Sequence, residues 1–493
     1  MSFLREPRPL LKKENQNFRV NPFKTLINQT AVYGLSSILG RLLNYLLVPL
    51  YTRCFTPDQY GIVTEMYAYV AFLAVFLTYG METSFFRFYK KFDKPKEVYS
   101  TILISLIVSS SLFLLLVFLN LKEISIWVGY GENSEYITWF SLIVFLDAIS
   151  SISFAKLRVQ NRAIRFATIR LINIAVNILL NLYFVLYKGF GIEYIFISNL
   201  VASLTMLLLL FPEMIKTKWV FNYKLWRRII TYAFPLLFAG LAGMVNETID
   251  RVLLKHLLEN SETAMHEVGI YGAFYKLSII MVLFTQTFRF AAEPFYFLQE
   301  KKKNYKKIYA DIMRYFVITT GFIFLCVLVF YDFIKFFIGS EYHDERGFFV
   351  VAILLLANLF LGIYYNLSIW YKLTEKTIYG ALISVFGATI TIVLNFILIP
   401  VVGFVGCAIT TLVCYFLMTY ISYYFLKKHY PIPYDVKKIL TYLASSITFF
   451  IIIYALNTTI YTNLVFLLSY ICLVLLIEKP KKIVNSKPKS LTK

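Results

Sequence analysis

Cysteine, charge and long polar connections are all scarce in this chain of 493 residues. Its five cysteines (Cys54, Cys326, Cys407, Cys414 and Cys472) form no CxxC pair, and most fall inside apolar runs. A free thiol there acts as a small apolar filler, which argues against a disulfide framework or a metal site. No cofactor is expected. Charged residues make up only 16% of the chain, and the acidic ones are the scarcer sign, 28 against 49 Lys and Arg. A short apolar core with a small-residue cleavage site is also missing from the first 25 residues, which are polar and basic. A cleaved targeting signal is therefore not expected.

What the chain has in abundance is apolar length. Hydrophobic residues reach 59%, against roughly 45–50% in ordinary soluble domains. They come in runs of about 18–25, the length that crosses a hydrocarbon core roughly 30 Å thick. The sequence predicts fourteen spans: 26–50, 60–82, 100–120, 136–155, 166–187, 190–212, 228–250, 268–290, 310–331, 347–370, 377–399, 402–426, 438–457 and 459–477. Backbone in lipid has to satisfy its own hydrogen bonds, so the spans are helices and the fold class is an all-α integral membrane protein.

A net charge of +21 on a soluble protein would suggest nucleic acid. Topology explains it here. Forty Lys and Arg lie in the two tails and in the connections on the same side as the tails, and seven lie in the connections on the other side. The last two of the 49, Arg41 and Lys276, fall inside spans. Basic loops stay in the cytoplasm, so both termini are expected there, with the chain multi-pass in the cell (inner) membrane. No nucleic-acid partner is needed.

Internal repetition divides the chain. An offset of 208 residues lays Gly61 on Gly269 and Tyr67 on Tyr275. A second, of 214 residues, lays Leu180-Asn181 and Gly189-Phe190 on Leu394-Asn395 and Gly403-Phe404. The expected units are a cytoplasmic tail (1–25), a six-helix lobe (26–212), a basic linker (213–227) and a second six-helix lobe (228–426). An added helix pair (438–477) and a basic tail (478–493) complete the chain. Transporters built from repeats bind substrate between the repeats, near the midplane.

Short pieces along residues 24–477 carry a family resemblance. They are Pro49-Leu50-Tyr51-Thr52-Arg53, Thr56-Pro57-Asp58-Gln59-Tyr60-Gly61, Gly80-Met81-Glu82 and Phe85-Phe86-Arg87 in the first half. In the second half they are Phe234-Pro235, Asp250-Arg251, Gly269-Ile270-Tyr271 and Ala292-Glu293-Pro294-Phe295. In order and spacing the chain resembles the oligosaccharide flippases of polysaccharide biosynthesis, of the multidrug/oligosaccharidyl-lipid/polysaccharide exporter superfamily. The resemblance implies two lobes around a central cavity, alternating access, and a lipid-linked oligosaccharide (a polyprenyl-diphosphate sugar) as cargo. It also implies membrane lipids as partners, a polymerase and glycosyltransferases of the same pathway, and a coupling cation.

An ionisable residue at mid-membrane costs about 2.5–3.5 kcal/mol on insertion scales, so it needs a partner or a wet cavity. Arg41 lies near the middle of the first span. Two readings stand: an ion pair with Asp147, or a cation in the cavity that meets a pyrophosphate. Lys276 is eight residues into span 8, about 12 Å deep at 1.5 Å per residue. It either faces the cavity or snorkels. Arg170, Asn173, Asn177 and Asn181 share one face of span 5. They form either a sugar-binding stripe or a set of interhelical hydrogen bonds. Asn358, Tyr364, Tyr365, Asn366 and Trp370 of span 10 suit sugar binding or packing alike. Glu65, Asp147, Glu247, Asp250 and Arg251 are candidates for ion pairs or coupling. Residues 341–345 look like a metal cluster but read as a hydrated loop.

Two relatives of the same superfamily remain as alternatives, a lipid II flippase and a drug or cation antiporter. An antiporter for cations would be expected to bury a carboxylate, whereas Arg41 and Lys276 are basic. A sugar polymerase, ligase or membrane glycosyltransferase would carry a sizeable external loop. No external connection here exceeds about twenty residues, and the first holds one acid, Asp58. A transporter is expected, not an enzyme. Alkaline phosphatase fused to the C-terminus should be inactive, and green fluorescent protein there should glow. An active phosphatase would refute the orientation.

Overall fold

The computed structural model describes residues 39–478 apart from 41, 44, 93, 259, 300–303, 375 and 457. Among the described residues there is no strand. Leaving aside the short helices Leu121–Val128, Tyr331–Ile334 and Ile369–Leu373, the helices in chain order are α1 (Val48–Cys54), α2 (Pro57–Thr78), α3 (Met81–Lys91), α4 (Pro95–Leu119), α5 (Ser134–Val159) and α6 (Ala163–Asn181). Next come α7 (Glu193–Ile215), α8 (Tyr223–Leu257), α9 (Ser261–Leu277), α10 (Ile279–Gln299) and α11 (Tyr305–Val329). The last are α12 (Gly347–Leu367), α13 (Ile378–Val402), α14 (Phe404–His429), α15 (Val436–Leu456) and α16 (Ile460–Ile477). A π-helical segment, Leu182–Tyr187, extends α6.

Among the described residues twelve helices are long and apolar enough to cross a membrane, and a bent pair, Thr263–Leu277 with Ile279–Glu293, makes thirteen when it is counted as one span. The span expected at 26–50 lies mostly outside the described residues. The uninterrupted span expected at 268–290 is corrected: it breaks by 50° between α9 and α10. Ser278 sits at the break, and its hydroxyl donates to the Tyr275 carbonyl at 2.8 Å. A serine hydroxyl competing for helix carbonyls is a known cause of bends.

Local signals start the helices where the sequence places them. Thr56 and Gln59 cap α2 reciprocally, with Pro57 at its first position, satisfying backbone donors that the helix cannot. In the N-terminal lobe α5 packs on α4 and α7, and α6 on α7; in the C-terminal lobe α14 packs on α12 and α13. Helices α15 and α16 lean on α11. The 35-residue α8 bridges the lobes. Its first turns put Leu225 and Ile229 into the apolar cluster of α4, α5 and α7, while its later turns bond Asn246 to Ser384 and Thr391 of α13.

The lobes meet where α2 crosses α9. A Cβ on Gly269 would lie 1.9 Å from the Pro57 carbonyl oxygen, and one on Gly61 would lie 2.3 Å from that of Met265. Other ties gather at the same end of the molecule. The Gly339 N–H donates to Thr52 Oγ1 at 3.0 Å, Tyr342 donates to the Phe55 carbonyl at 2.8 Å, and Lys255 pairs with Glu65 at 3.0 Å. Gly269→Ala should therefore force the two backbones apart. Overpacking of this kind costs about 1–3 kcal/mol. Thermal unfolding in detergent should show a Tm several degrees lower, and an unchanged Tm would mean that the crossing is not tight.

Candidate functional site

Below that crossing a cavity of about 390 Å³ opens between the lobes. Tyr51 of α1 and Tyr60, Thr64 and Tyr67 of α2 line one wall, with Asn173 and Asn177 of α6 and Asn199 of α7. Glu247, Thr248 and Arg251 of α8 and Gly272, Tyr275 and Lys276 of α9 line the other. A second cavity, about 490 Å³, shares Asn173 and Asn199 with the first and is lined by Glu82, Asp147, Arg158, Arg170 and Phe290 among others. The two adjoin.

The charges in these walls are mostly engaged. Arg251 Nη1 donates to the Glu247 carbonyl at 2.6 Å and to Asp250 Oδ1 at 3.1 Å, and its guanidinium lies 4.3 Å from the centre of the Tyr275 ring. Asp250 Oδ2 accepts from the Tyr271 hydroxyl at 2.6 Å. Asp250 is thus spent in a clasp behind the cavity wall, and Arg251 is held at the surface of that wall. Arg158 pairs with Glu82 at 2.5 Å. Lys276 forms no ion pair or hydrogen bond with any described residue; Arg251 and Glu247 are the charged groups that act on it. The carboxylate of Glu247 is exposed to the cavity.

Such a site can hold an anion against Lys276 and Arg251 and offer tyrosines and asparagines to a polar body. Stacking and hydrogen bonding of this sort suit a sugar. Residues 26–292 match a family described as polysaccharide biosynthesis protein. The chain belongs to that family. The capsular polysaccharide biosynthesis protein CapF of Staphylococcus aureus is 23% identical over 417 residues, which are 80% of this chain and 97% of CapF. Among solved structures, the lipid II flippase MurJ in an inward closed conformation superposes with a TM-score of 0.70 at 16% identity, covering 90% of this chain and 98% of MurJ. An inward-facing multidrug resistance transporter of the MATE family gives 0.63 at 13% identity, covering 82% of this chain and 96% of its own. The two structures establish the fold.

Within this family member, the residues singled out in the sequence separate into several places. Lys276, Asn173, Asn177, Glu247 and Arg251 line the central cavity. Arg41 lies outside the described residues. Asp147 and Arg170 line the second cavity, so Asp147, expected to face Arg41, has Arg170 as a charged neighbour. Asn181 is corrected: it is fully buried, accepting from the Tyr51 hydroxyl at 2.9 Å and donating to the Asn177 carbonyl at 2.8 Å. Asn366 is corrected too. It accepts from Tyr296 at 2.5 Å and donates to Gly362 of its own helix, away from the central cavity.

Glu65 is fully buried, held by Lys255 and the Tyr130 hydroxyl. Asn358 turns back to the Leu354 carbonyl of its own helix, and Trp370 stacks on His429. In the loop 341–345, the Arg346 guanidinium bonded to Asp344 holds that carboxyl below its usual range. Sequence reading missed Tyr51, Tyr60, Tyr67 and Asn199 as cavity residues. The signal available for Tyr67 was its alignment with Tyr275 in the internal repeat.

Neighbouring asparagines of α6 should therefore behave differently. Removing the partner of a buried hydroxyl costs about 1–3 kcal/mol. Asn181→Ala, which strands Tyr51, should lower the Tm of the purified protein, whereas Asn177→Ala removes only the longer of the two bonds the Asn181 amide makes to it and should lower the Tm less. Equal effects would contradict the separation.

Proposed function

We propose that this chain carries a polyprenyl-diphosphate-linked oligosaccharide across the cytoplasmic membrane by alternating access, for surface polysaccharide or lipopolysaccharide biosynthesis. The observation that carries the reading is Lys276: a cation in the interlobe cavity without an ion pair among the described residues. An unpaired buried charge is expensive, so such a cation is matched to a ligand that brings the opposite charge. A diphosphate brings about two. Tyr51, Tyr60 and Tyr67, with Asn173 and Asn177, then face the sugar, and Arg41 of the first span adds positive charge.

The family supports a polysaccharide pathway, and the fold shared with MurJ and MATE proteins supports transport. In this reading the units are the six-helix lobes 26–212 and 228–426, with 438–477 as an added pair. Both termini are cytoplasmic, and membrane lipids surround the spans. The ties at Gly61, Glu65 and Gly339 then lie at the external end, so the cavity belongs to an inward-facing state. A polymerase and glycosyltransferases of the pathway are its functional partners. A lipid II cargo would use the same cations, and a cationic drug would not.

Lys276→Gln should reach the membrane in normal amount but support surface polysaccharide poorly. Losing a hydrogen bond to a charged group costs about 1.5–3 kcal/mol, roughly a tenfold fall or more in transport. Purified protein should bind the diphosphate-linked sugar in preference to the same sugar free. Full transport by Lys276→Gln, or binding of cationic drugs in place of the diphosphate sugar, would refute the reading.

A further inference from the structure

The turn between α5 and α6 gathers three cations on one carboxylate of α7. Arg162 Nη1 donates to Glu213 Oε1 at 2.7 Å, Arg165 Nη2 lies 3.3 Å from the same oxygen, and Lys156 Nζ lies 4.0 Å from Oε2. Lys156 is otherwise spent: it donates to the Glu213 carbonyl at 2.6 Å and to Thr217 Oγ1 at 3.1 Å, and it sits over the Tyr99 ring. Glu213 offsets one of the three cations, so two positive charges remain. Lys96 acts on Lys156 as a further cation, and Lys216 and Lys218 stand exposed in the linker after α7. Both guanidiniums are part-exposed, yet Arg165 Nε is buried without a hydrogen-bond partner. A buried donor left unmet carries the desolvation cost of its group, and native structures keep few of them without a reason. Beside it, α6 begins with no side-chain cap and no acid in its first turn, which leaves its partial positive charge unopposed.

What surrounds the cluster is apolar and uncovered. One span ends at Val159, the next begins at Ala163 and a third ends at Ile215, so the cluster lies at a membrane boundary. Ile164 is 80% exposed, Ile215 60% and Trp219 56%. Trp219 belongs to a linker held against α4, where the Val220 N–H donates to Ser100 Oγ at 2.8 Å and the Asn222 N–H to Thr101 Oγ1 at 3.2 Å. A tryptophan fixed at such a boundary sits at headgroup level. The ligand that meets both features is an amphiphile: a phosphate matches the planar fork of a guanidinium, and acyl chains cover Ile164 and Ile215. We propose that Arg162 and Arg165 bind the phosphate of an anionic phospholipid of the surrounding bilayer. Neither arginine lines either interlobe cavity, so the site is separate from that of the cargo. The surplus positive charge opposes a choline ammonium, so a net negative headgroup is selected over a zwitterionic one. A soluble phosphate would leave the apolar rim uncovered.

This inference does not rest on the flippase reading, and its test uses no cargo. The purified full chain in dodecyl maltoside micelles is melted at fixed ionic strength with increasing phosphatidylglycerol. Phosphatidylcholine replaces it in a second series, and glycerol 3-phosphate, its soluble headgroup, in a third. Phosphatidylglycerol should give a saturable rise in Tm, as expected for a ligand that binds only the folded state; the other two should not. Arg162→Gln and Arg165→Gln each leave the other guanidinium on Glu213, and each should move the midpoint to severalfold higher lipid. Glu213→Gln removes the competing carboxylate and should move it to lower lipid. A purely structural cluster would lower the starting Tm in these variants and leave the midpoint where it was. Replacing the exposed Lys427 and Lys428 of α14 by Gln measures bulk attraction and should not move the midpoint. The proposal is overturned if both lipids act alike, if glycerol 3-phosphate reproduces the rise, or if the arginine variants keep the wild-type midpoint. It is overturned too if the α14 pair moves the midpoint as far as they do, or if Lys276→Gln abolishes the rise, which would place the lipid in the cargo cavity. Should both arginine variants fail to fold, Lys96→Gln takes their place, and its unchanged midpoint overturns the proposal equally.

Discussion

The crossing of α2 and α9 at Gly61 and Gly269 leaves room for no side chain on either helix at the point of contact. That closeness sets where everything below it can lie. One turn past each glycine, Thr64 and Gly272 face each other, and a Cβ on Gly272 would come within 2.6 Å of the Thr64 hydroxyl. Two turns past, Tyr67 and Tyr275 both reach the cavity, and Lys276 follows. The offset of 208 residues read from the sequence is thus the relation between the two walls. The lobes splay from a shared contact because each contributes the same helix with the same small residue.

Charge is distributed by the same economy. In a low-dielectric interior an ion needs a partner nearby, and the structure supplies one in most places. Arg251 has Asp250 and Lys255 has Glu65. At the basic end, Arg158 pairs with Glu82 in the first lobe and Lys372 with Glu293 in the second. These two pairs occupy matching places in the repeat, so the halves share electrostatics as well as helices. Against this background Lys276 stands out: it lines the cavity and has no ion pair among the described residues.

Much of the fold was legible because apolar length and basic loops are properties of composition along the chain. The break at Ser278 was not legible, since apolar residues continue on both sides of it and a serine or threonine that bonds back to its own helix is common along this chain. Periodicity placed Asn173, Asn177 and Asn181 on one face of α6 correctly. It could not say that Tyr51 would cover the last of them, because that depends on where another helix ends. Asn366 failed for a similar reason: its partner, Tyr296, comes from α10, whose direction follows from the break at Ser278. Tyr51 and Tyr60 stand in pieces that carry the family resemblance, but with aromatics at 18% of the chain nothing marked them as cavity residues.

A joint made of glycine backbones has a further physical property. Each helix satisfies its own backbone hydrogen bonds, so parting α2 from α9 strands no donor or acceptor at the crossing itself. Side chains do pack around it: Tyr60, Val63 and Met66 of α2 share one buried apolar cluster with Val268, Tyr271 and Phe274 of α9. The polar ties near it are Gly339 to Thr52 and Tyr342 to Phe55, at helix ends and in the loop that precedes α12, and the buried pair of Lys255 with Glu65 between α8 and α2. Within the first lobe a second apolar cluster joins α4, α5 and α7. Parting α2 from α9 would therefore leave every helix's own backbone bonds made, but it would open the shared apolar cluster and the Lys255–Glu65 pair.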